Sequence, residues 1–139
     1  MIGIVVVSHG QLARELVSAA EMIVREIPNI TAVSMGWHDD PGAAQREIEE
    51  AIARVESGKG VIVLTDMFGG TPTNLSLAFL EKDRVEVLTG VNLPMLIKLI
   101  NLRQADAATL SDIARDACAQ AKESIYLASD LIESGRADS

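Results

Sequence analysis

The sequence predicts an α/β fold in which one open, doubly wound and mostly parallel sheet is covered by helices on both faces. Short apolar segments rich in Val and Ile alternate along the chain with longer segments whose apolar residues recur at helical spacing. The connections between them are short, as is typical of right-handed strand–helix–strand units. The 139 residues fit one domain, which we expect to span residues 1–133 and to be followed by a disordered polar tail at 134–139.

The first half of the chain contains two such strand and helix pairs. Residues 2–7 are apolar without alternation, as expected for a strand buried on both faces of a parallel sheet. Residues 12–27 follow with apolar side chains at helical spacing, until a Pro-Asn dipeptide interrupts the pattern. A second strand at residues 30–35 precedes a helix whose start is marked by Asp39-Asp40-Pro41.

The second half repeats the pattern twice and adds a long helix. Thr71 and Pro72 are expected to be the N-cap and the first residue of a helix. The alternation of Val85, Glu86 and Val87 is typical of an edge strand. The predicted elements are strands at residues 60–65 and 84–89, and helices at 71–80, 94–102 and 110–132.

Composition excludes several classes of protein. The net charge is −8 and no Lys or Arg cluster is present, which argues against a nucleic-acid partner. The apolar segments are far shorter than the roughly 20 residues that span a bilayer, and no signal sequence begins the chain. The single Cys118 cannot form an internal disulfide, so we expect it to fill space in the core. These features predict a cytoplasmic protein.

Polar residues follow three of the predicted strands, at the edge where ligands gather in such sheets. His9 ends the first strand, and Asp66 follows the third. If these strands are neighbours, the two side chains emerge side by side. The carboxylate would then fix the imidazole tautomer and leave the other ring nitrogen as a nucleophile that can accept phosphate.

The glycine-rich loop after Asp66 is a candidate phosphate-binding loop. Backbone amides of Gly69, Gly70 and Thr71, aimed toward His9 beside a helix N-terminus, would stabilise phosphoryl oxygens, and glycine allows close approach. Each feature also has a structural interpretation. The loop alone fits a plain turn and helix cap, Asp66 could cap a backbone segment, and a single histidine is usually structural or exposed.

Other chemistries are disfavoured by the residue pattern. His38, Asp39 and Asp40 could join His9 and Asp66 in a metal-dependent hydrolase, but no paired ligand spacing is present, so we expect no metal. No lysine follows the glycines as in a nucleotide-binding P-loop. A serine–histidine nucleophile pair is also disfavoured, because the adjacent residues Ser8 and His9 point to opposite faces of a strand.

Three separated segments resemble the mannose-type enzyme IIA component of the bacterial phosphoenolpyruvate-dependent sugar phosphotransferase system. The resemblance implies that His9 accepts phosphate through Nε2 from the phosphocarrier protein HPr, that Asp66 holds Nδ1, and that Thr71 contacts the phosphoryl group. It further implies strand order 2-1-3-4 and a homodimer that exchanges a C-terminal segment, so residues 120–133 could contain a swapped strand. The segments are GIVVVSHG at residues 3–10, TDMFGGTPTN at 65–74 and TGVNLPML at 89–96.

The resemblance predicts a phosphoryl carrier without a cofactor. The sequence holds no fused enzyme IIB domain, so we expect the phosphate to pass to a separate IIB protein in sugar uptake. Two alternatives stay open: a regulatory phosphoprotein of an incomplete phosphotransferase system, and the phosphotransfer subunit of dihydroxyacetone kinase. The roles of His38 and Asn92 are not assigned by the sequence.

Overall fold

The computed structural model describes residues 1–36, 40–105 and 108–133. Its four strands form one parallel sheet in the order β2-β1-β3-β4, with helices on both faces. This confirms the predicted fold class and the implied strand order. The elements are β1 (Gly3–His9), α1 (Leu12–Val24), β2 (Ile30–Met35), α2 (Pro41–Val55), β3 (Val61–Thr65), α3 (Thr71–Leu77), β4 (Val85–Thr89), α4 (Leu93–Leu102), α5 (Leu110–Glu123) and α6 (Ala128–Glu133).

The sheet separates two aliphatic cores. Because successive side chains of a strand point to opposite faces, β1 sends Ile4 and Val6 toward α1, α4 and α5, and sends Val5 and Val7 toward α2. All four side chains are fully buried. This burial explains why the strand sequence shows no alternation. Cys118 is half-buried against the first of these cores, as predicted.

Three predicted helix ends were wrong. The first helix stops at Val24 instead of residue 27, because Arg25 adopts a left-handed backbone conformation with φ +65°. Gly70, not Thr71, is the N-cap of α3, so Thr71 is its first helical residue. That helix ends at Leu77 instead of residue 80, because the next residues form tight turns in which Leu80 donates its amide to the Leu77 carbonyl.

The predicted long C-terminal helix is divided in two. The Ser124 hydroxyl donates a 2.6 Å hydrogen bond to the Ala121 carbonyl, and its amide donates to the same oxygen, which closes α5 in a tight turn. Residues 124–127 are not helical, and α6 then begins. Residues 120–133 are all described and contain no strand within this chain. The predicted tail at 134–139 lies outside the described residues.

The start of α2 and the edge of the sheet agree with the sequence-based predictions. Asp40 caps α2, accepting a 3.1 Å hydrogen bond from the Ala43 amide, while Asp39 lies outside the described residues. β4 is an edge strand, as its alternation predicted. Within the described ranges, no helix is long and apolar enough to cross a membrane.

Candidate functional site

The sheet brings His9 and Asp66 together. β1 and β3 are adjacent and parallel, with Val7 opposite Thr65. His9 is the last residue of β1, and Asp66 follows the last residue of β3, so both lie at the carboxyl edge of the two central strands. The adjacency expected from the sequence is confirmed.

Asp66 holds His9 at two points through one oxygen atom. Its Oδ2 lies 2.7 Å from Nδ1 of the imidazole and accepts a 2.8 Å hydrogen bond from the His9 backbone amide. An ionised carboxylate only accepts hydrogen bonds, so Nδ1 carries the proton and Nε2 carries the lone pair. The His9 side chain is 55% exposed, whereas that of Asp66 is 11% exposed. The nitrogen that faces away from Asp66 therefore belongs to an accessible ring held by a covered carboxylate.

The surroundings of Asp66 favour its ionised form. Burial by itself raises the pKa of this carboxyl group, but hydrogen bonds from the backbone and ring of His9 outweigh burial and lower the pKa below its usual 3.8. The Met67 amide contributes more weakly in the same direction. Oδ1 is buried and makes no hydrogen bond of ordinary geometry with the described residues. The side-chain carboxylate of Asp66 therefore interacts mainly with His9.

Gly70 lies directly against the imidazole. A Cβ atom built on Gly70 would come within 2.9 Å of Cε1 and 3.5 Å of Nε2 of His9. Close approach was expected of this glycine, but the atoms it approaches belong to the histidine ring itself. Gly69 serves the turn instead, with φ +91° and open space around it.

A pocket of about 400 Å³ opens beside His9 and includes Thr71 in its wall. The amides of Gly69 and Thr71 make no hydrogen bond of ordinary geometry with the described residues, whereas Gly70 closes a turn with Met67. The expected contribution of a helix dipole is small, because α3 has only seven residues. The pocket is lined by His9, Gly10, Met35, Gly36, Pro41, Thr71 and Pro72.

Several residues that build the site were missed in the sequence. Ser8 is fully buried, and its hydroxyl accepts a 2.6 Å hydrogen bond from the Ala13 amide in the first turn of α1. Asn92 caps α4 by accepting a 2.8 Å bond from the Met95 amide, a role that its position before Leu-Pro could have indicated. Thr65 and Thr73 form a buried hydroxyl pair beneath the 66–70 loop.

The second polar cluster of the sequence lies largely outside the described residues. His38 and Asp39 fall outside the described residues, so the structure does not place them. In the ranges that it does describe, no group of three or more His, Cys, Asp or Glu side chains could hold a metal ion.

The fold and site define a small α/β domain that presents a carboxylate-held histidine at the end of its central strands. The family model for the phosphotransferase-system fructose IIA component, EIIA-man, matches residues 3–117. The chain therefore belongs to this family of sugar phosphotransferase IIA components, as its three motifs implied.

Curated relatives agree with the family model. The chain is 30% identical over 134 residues to the fructose-specific EIIA component of Bacillus subtilis, covering 96% of this chain and 90% of that protein. It is 38% identical over 111 residues to the mannose-specific EIIAB component of Escherichia coli, covering 76% of this chain. The match spans only 33% of that longer relative.

Solved structures show the same fold. The EIIA component from Streptococcus agalactiae superimposes with a TM-score of 0.84 at 25% identity, covering 94% of this chain and 99% of that chain. The IIA protein associated with the fucose utilization operon of Streptococcus pneumoniae gives a TM-score of 0.80 at 29% identity, covering 94% and 95%.

Proposed function

We propose that this chain is a phosphoryl carrier that accepts phosphate on Nε2 of His9 from phospho-HPr and donates it to a separate enzyme IIB protein in sugar uptake. The observation that carries the proposal is the pair of hydrogen bonds from His9 to Oδ2 of Asp66. The ring bond to a carboxylate supports a proton on Nδ1, which would leave Nε2 with its lone pair on an exposed ring.

The transfer follows from this geometry. The Nε2 lone pair attacks phosphorus, the Nε2–P bond forms, and the bond between phosphorus and the donor's imidazole nitrogen breaks with its electron pair returning to the donor. The Nδ1 proton stays in place, so the phosphorylated ring of His9 carries a positive charge. Asp66 faces that charge at 2.7 Å and stabilises it. Donation to the acceptor reverses these steps.

The phosphoryl oxygens would be bound by the loop beside His9. The amides of Gly69 and Thr71 have no hydrogen-bond partner of ordinary geometry among the described residues, and Thr71 shares a pocket with the imidazole. Amides and a hydroxyl group in this position can stabilise equatorial oxygens during in-line transfer. The proposal therefore requires neither a metal nor a nucleotide.

The surface next to His9 can admit a protein partner. Met67 and Phe68 are 54% and 76% exposed, and they follow Asp66 directly in the chain. Apolar side chains beside an accessible nucleophile provide area that a docking protein can bury. We propose that donor and acceptor use this surface in turn.

We also propose that the protein is a homodimer. Ile125, Tyr126 and Leu127 are 60–75% exposed, and Ile132 is 70% exposed. A C-terminal segment with four exposed apolar side chains fits the segment exchange implied by the family resemblance. Sedimentation equilibrium at micromolar concentration should give twice the chain mass, and a mass of one chain would contradict this proposal.

Substitution of Gly70 by alanine should slow phosphorylation of His9. The new methyl group would lie 2.9 Å from Cε1, so either the ring or the loop must shift by a few tenths of an ångström. We expect a loss of about tenfold in the initial rate, because in-line transfer depends strongly on the position of the nucleophile. Gly69→Ala is the matched comparison, since it adds a strained residue without a contact on His9. Equal rates for Gly70→Ala and the wild type would contradict the assignment.

A reconstituted phosphorylation chain tests the proposed function. Phosphoenolpyruvate, enzyme I and HPr should label the wild-type protein with an acid-labile phosphate, and addition of an IIB protein should remove the label. Failure of HPr to label the protein would refute the proposal. A labelled protein that donates to the dihydroxyacetone kinase system, or to no IIB protein, would favour one of the two alternative roles. The relatives are named for fructose, mannose and sorbose, so the proposal assigns no sugar.

A further inference from the structure

Two fully buried threonines lie beneath the loop that carries Asp66. Thr65 is the last residue of β3, and Thr73 lies in the first turn of α3. Their Oγ1 atoms are 2.6 Å apart, and Thr73 Oγ1 also donates a hydrogen bond to the Met67 carbonyl. The two hydroxyls and the carbonyl thus form a short chain between a strand, a helix and the loop.

The number of hydroxyl protons decides which group donates and which accepts in each of these hydrogen bonds. A carbonyl only accepts, so the single hydroxyl proton of Thr73 is used for Met67. Thr65 must therefore donate its own proton to Thr73. The Thr73 hydroxyl therefore donates one hydrogen bond and accepts another, and neither threonine is exposed to solvent.

The anchored carbonyl lies within the segment that contacts His9. Asp66, on one side of Met67, binds Nδ1, and Gly70, three residues further, lies against the ring. The side chains of Met67 and Phe68 are largely exposed, so apolar burial does little to fix the middle of this segment. The hydrogen bond from the buried Thr73 hydroxyl to the Met67 carbonyl holds the middle of this segment in place.

We propose that Thr73 is a positioning residue for phosphoryl transfer, acting with Thr65 through the Met67 carbonyl. The inference rests on the proposed role of His9. Loss of the Thr73 hydroxyl releases the loop between its two contacts with the imidazole, so both Asp66 and Gly70 can shift relative to Nε2. Because a displacement of 1 Å can cost about two orders of magnitude in rate, we expect a partial release to slow transfer about tenfold.

Three variants separate positioning from general stability. Thr73→Val removes the hydroxyl at nearly constant volume, whereas Thr73→Ser keeps it. Ser76→Ala is the matched control, because Ser76 is equally buried in the same helix and its hydroxyl donates a 2.6 Å bond to Pro72 instead of the loop. If Thr73→Val does not fold, Thr73→Ala replaces it, since that change also removes the hydroxyl; Thr65→Val leaves the bond from Thr73 to Met67 intact and tests the support from Thr65 alone.

The decisive comparison combines the phosphorylation rate with the state of the histidine ring. We expect Thr73→Val to be phosphorylated by HPr about tenfold more slowly, Thr73→Ser within about twofold of wild type, and Ser76→Ala at the wild-type rate despite a lower melting temperature. Thr65→Val should slow the reaction less than Thr73→Val. Equal slowing by Ser76→Ala, or a wild-type rate for Thr73→Val, would overturn the proposal.

Nitrogen NMR of His9 tests positioning independently of phosphate transfer. In the wild type, the ring should be the tautomer protonated at Nδ1, and Thr73→Val should change its ring ¹⁵N shifts toward a mixture of tautomers. Unchanged shifts in Thr73→Val would overturn the positioning role. A wild-type protein that HPr cannot label refutes the proposed function instead, so the two failures are distinguishable.

Discussion

His9→Ala should abolish phosphorylation by phosphoenolpyruvate, enzyme I and HPr. The imidazole supplies the only nucleophile in the proposed reaction, so we expect the initial rate to fall by at least about 10³-fold. The change also leaves Oδ2 of Asp66 without the ring donor, although the backbone amide of residue 9 can still reach it. Loss of one such bond should lower the free energy of unfolding by about 1–3 kcal/mol, a loss that circular dichroism melting can measure.

The chain offers a matched control for this prediction. It contains one other histidine, and His38→Ala should be labelled at the wild-type rate. The proposed assignment would be wrong if label persisted in His9→Ala, or if the two variants lost label equally. A folded His9→Ala protein without label is the expected result.

Asp66→Asn should give the second-largest effect. The amide is nearly the same size as the carboxylate but has no charge to face the phosphorylated ring, and it can donate to Nδ1 and so favour the wrong tautomer. We expect the initial phosphorylation rate to fall about 10²-fold, which is less than the 10⁴-fold seen when a comparable change disrupts a catalytic triad. Asp112→Asn, an exposed change of equal charge in α5, should have the wild-type rate.

The lowered pKa of Asp66 defines the pH range of this effect. Its carboxyl group is ionised above its usual value of 3.8, so the charge that Asp66→Asn removes is present throughout the neutral pH range. The stabilisation from the ionised carboxylate is present above 3.8 and is lost as pH falls through the lowered native value. We expect wild type to lose stability relative to Asp66→Asn in acid melting curves; a stability difference that disappeared as pH rose toward neutral would contradict this assignment.

The fold and the core of the site follow from local patterns in the sequence. Uninterrupted Val and Ile segments require strands buried on both faces, and alternation with helices then requires parallel neighbours. Once β1 and β3 are adjacent, their polar exits place His9 beside Asp66. The predicted contact between His9 and Asp66 therefore depends on the pairing of these two strands.

The remaining features depend on tertiary contacts, which the spacing of apolar residues along the sequence does not reveal. The apolar repeat continues past Ser124, but the hydroxyl and the amide of Ser124 both bond to the Ala121 carbonyl and α5 ends there. Thr65 and Thr73 are eight residues apart, and their pairing requires the loop conformation that they stabilise. Gly70 was read as a residue that approaches phosphate, because only the folded loop shows that it meets the imidazole first.

The site of phosphorylation can be measured directly by nitrogen and phosphorus NMR of the phosphorylated protein labelled with ¹⁵N in its histidines. We expect a single phosphohistidine at His9, with phosphorus coupled to Nε2 and the proton retained on Nδ1 beside Asp66. Phosphorus bonded to Nδ1, or to any other residue, would show that Nε2 of His9 is not the phosphate acceptor.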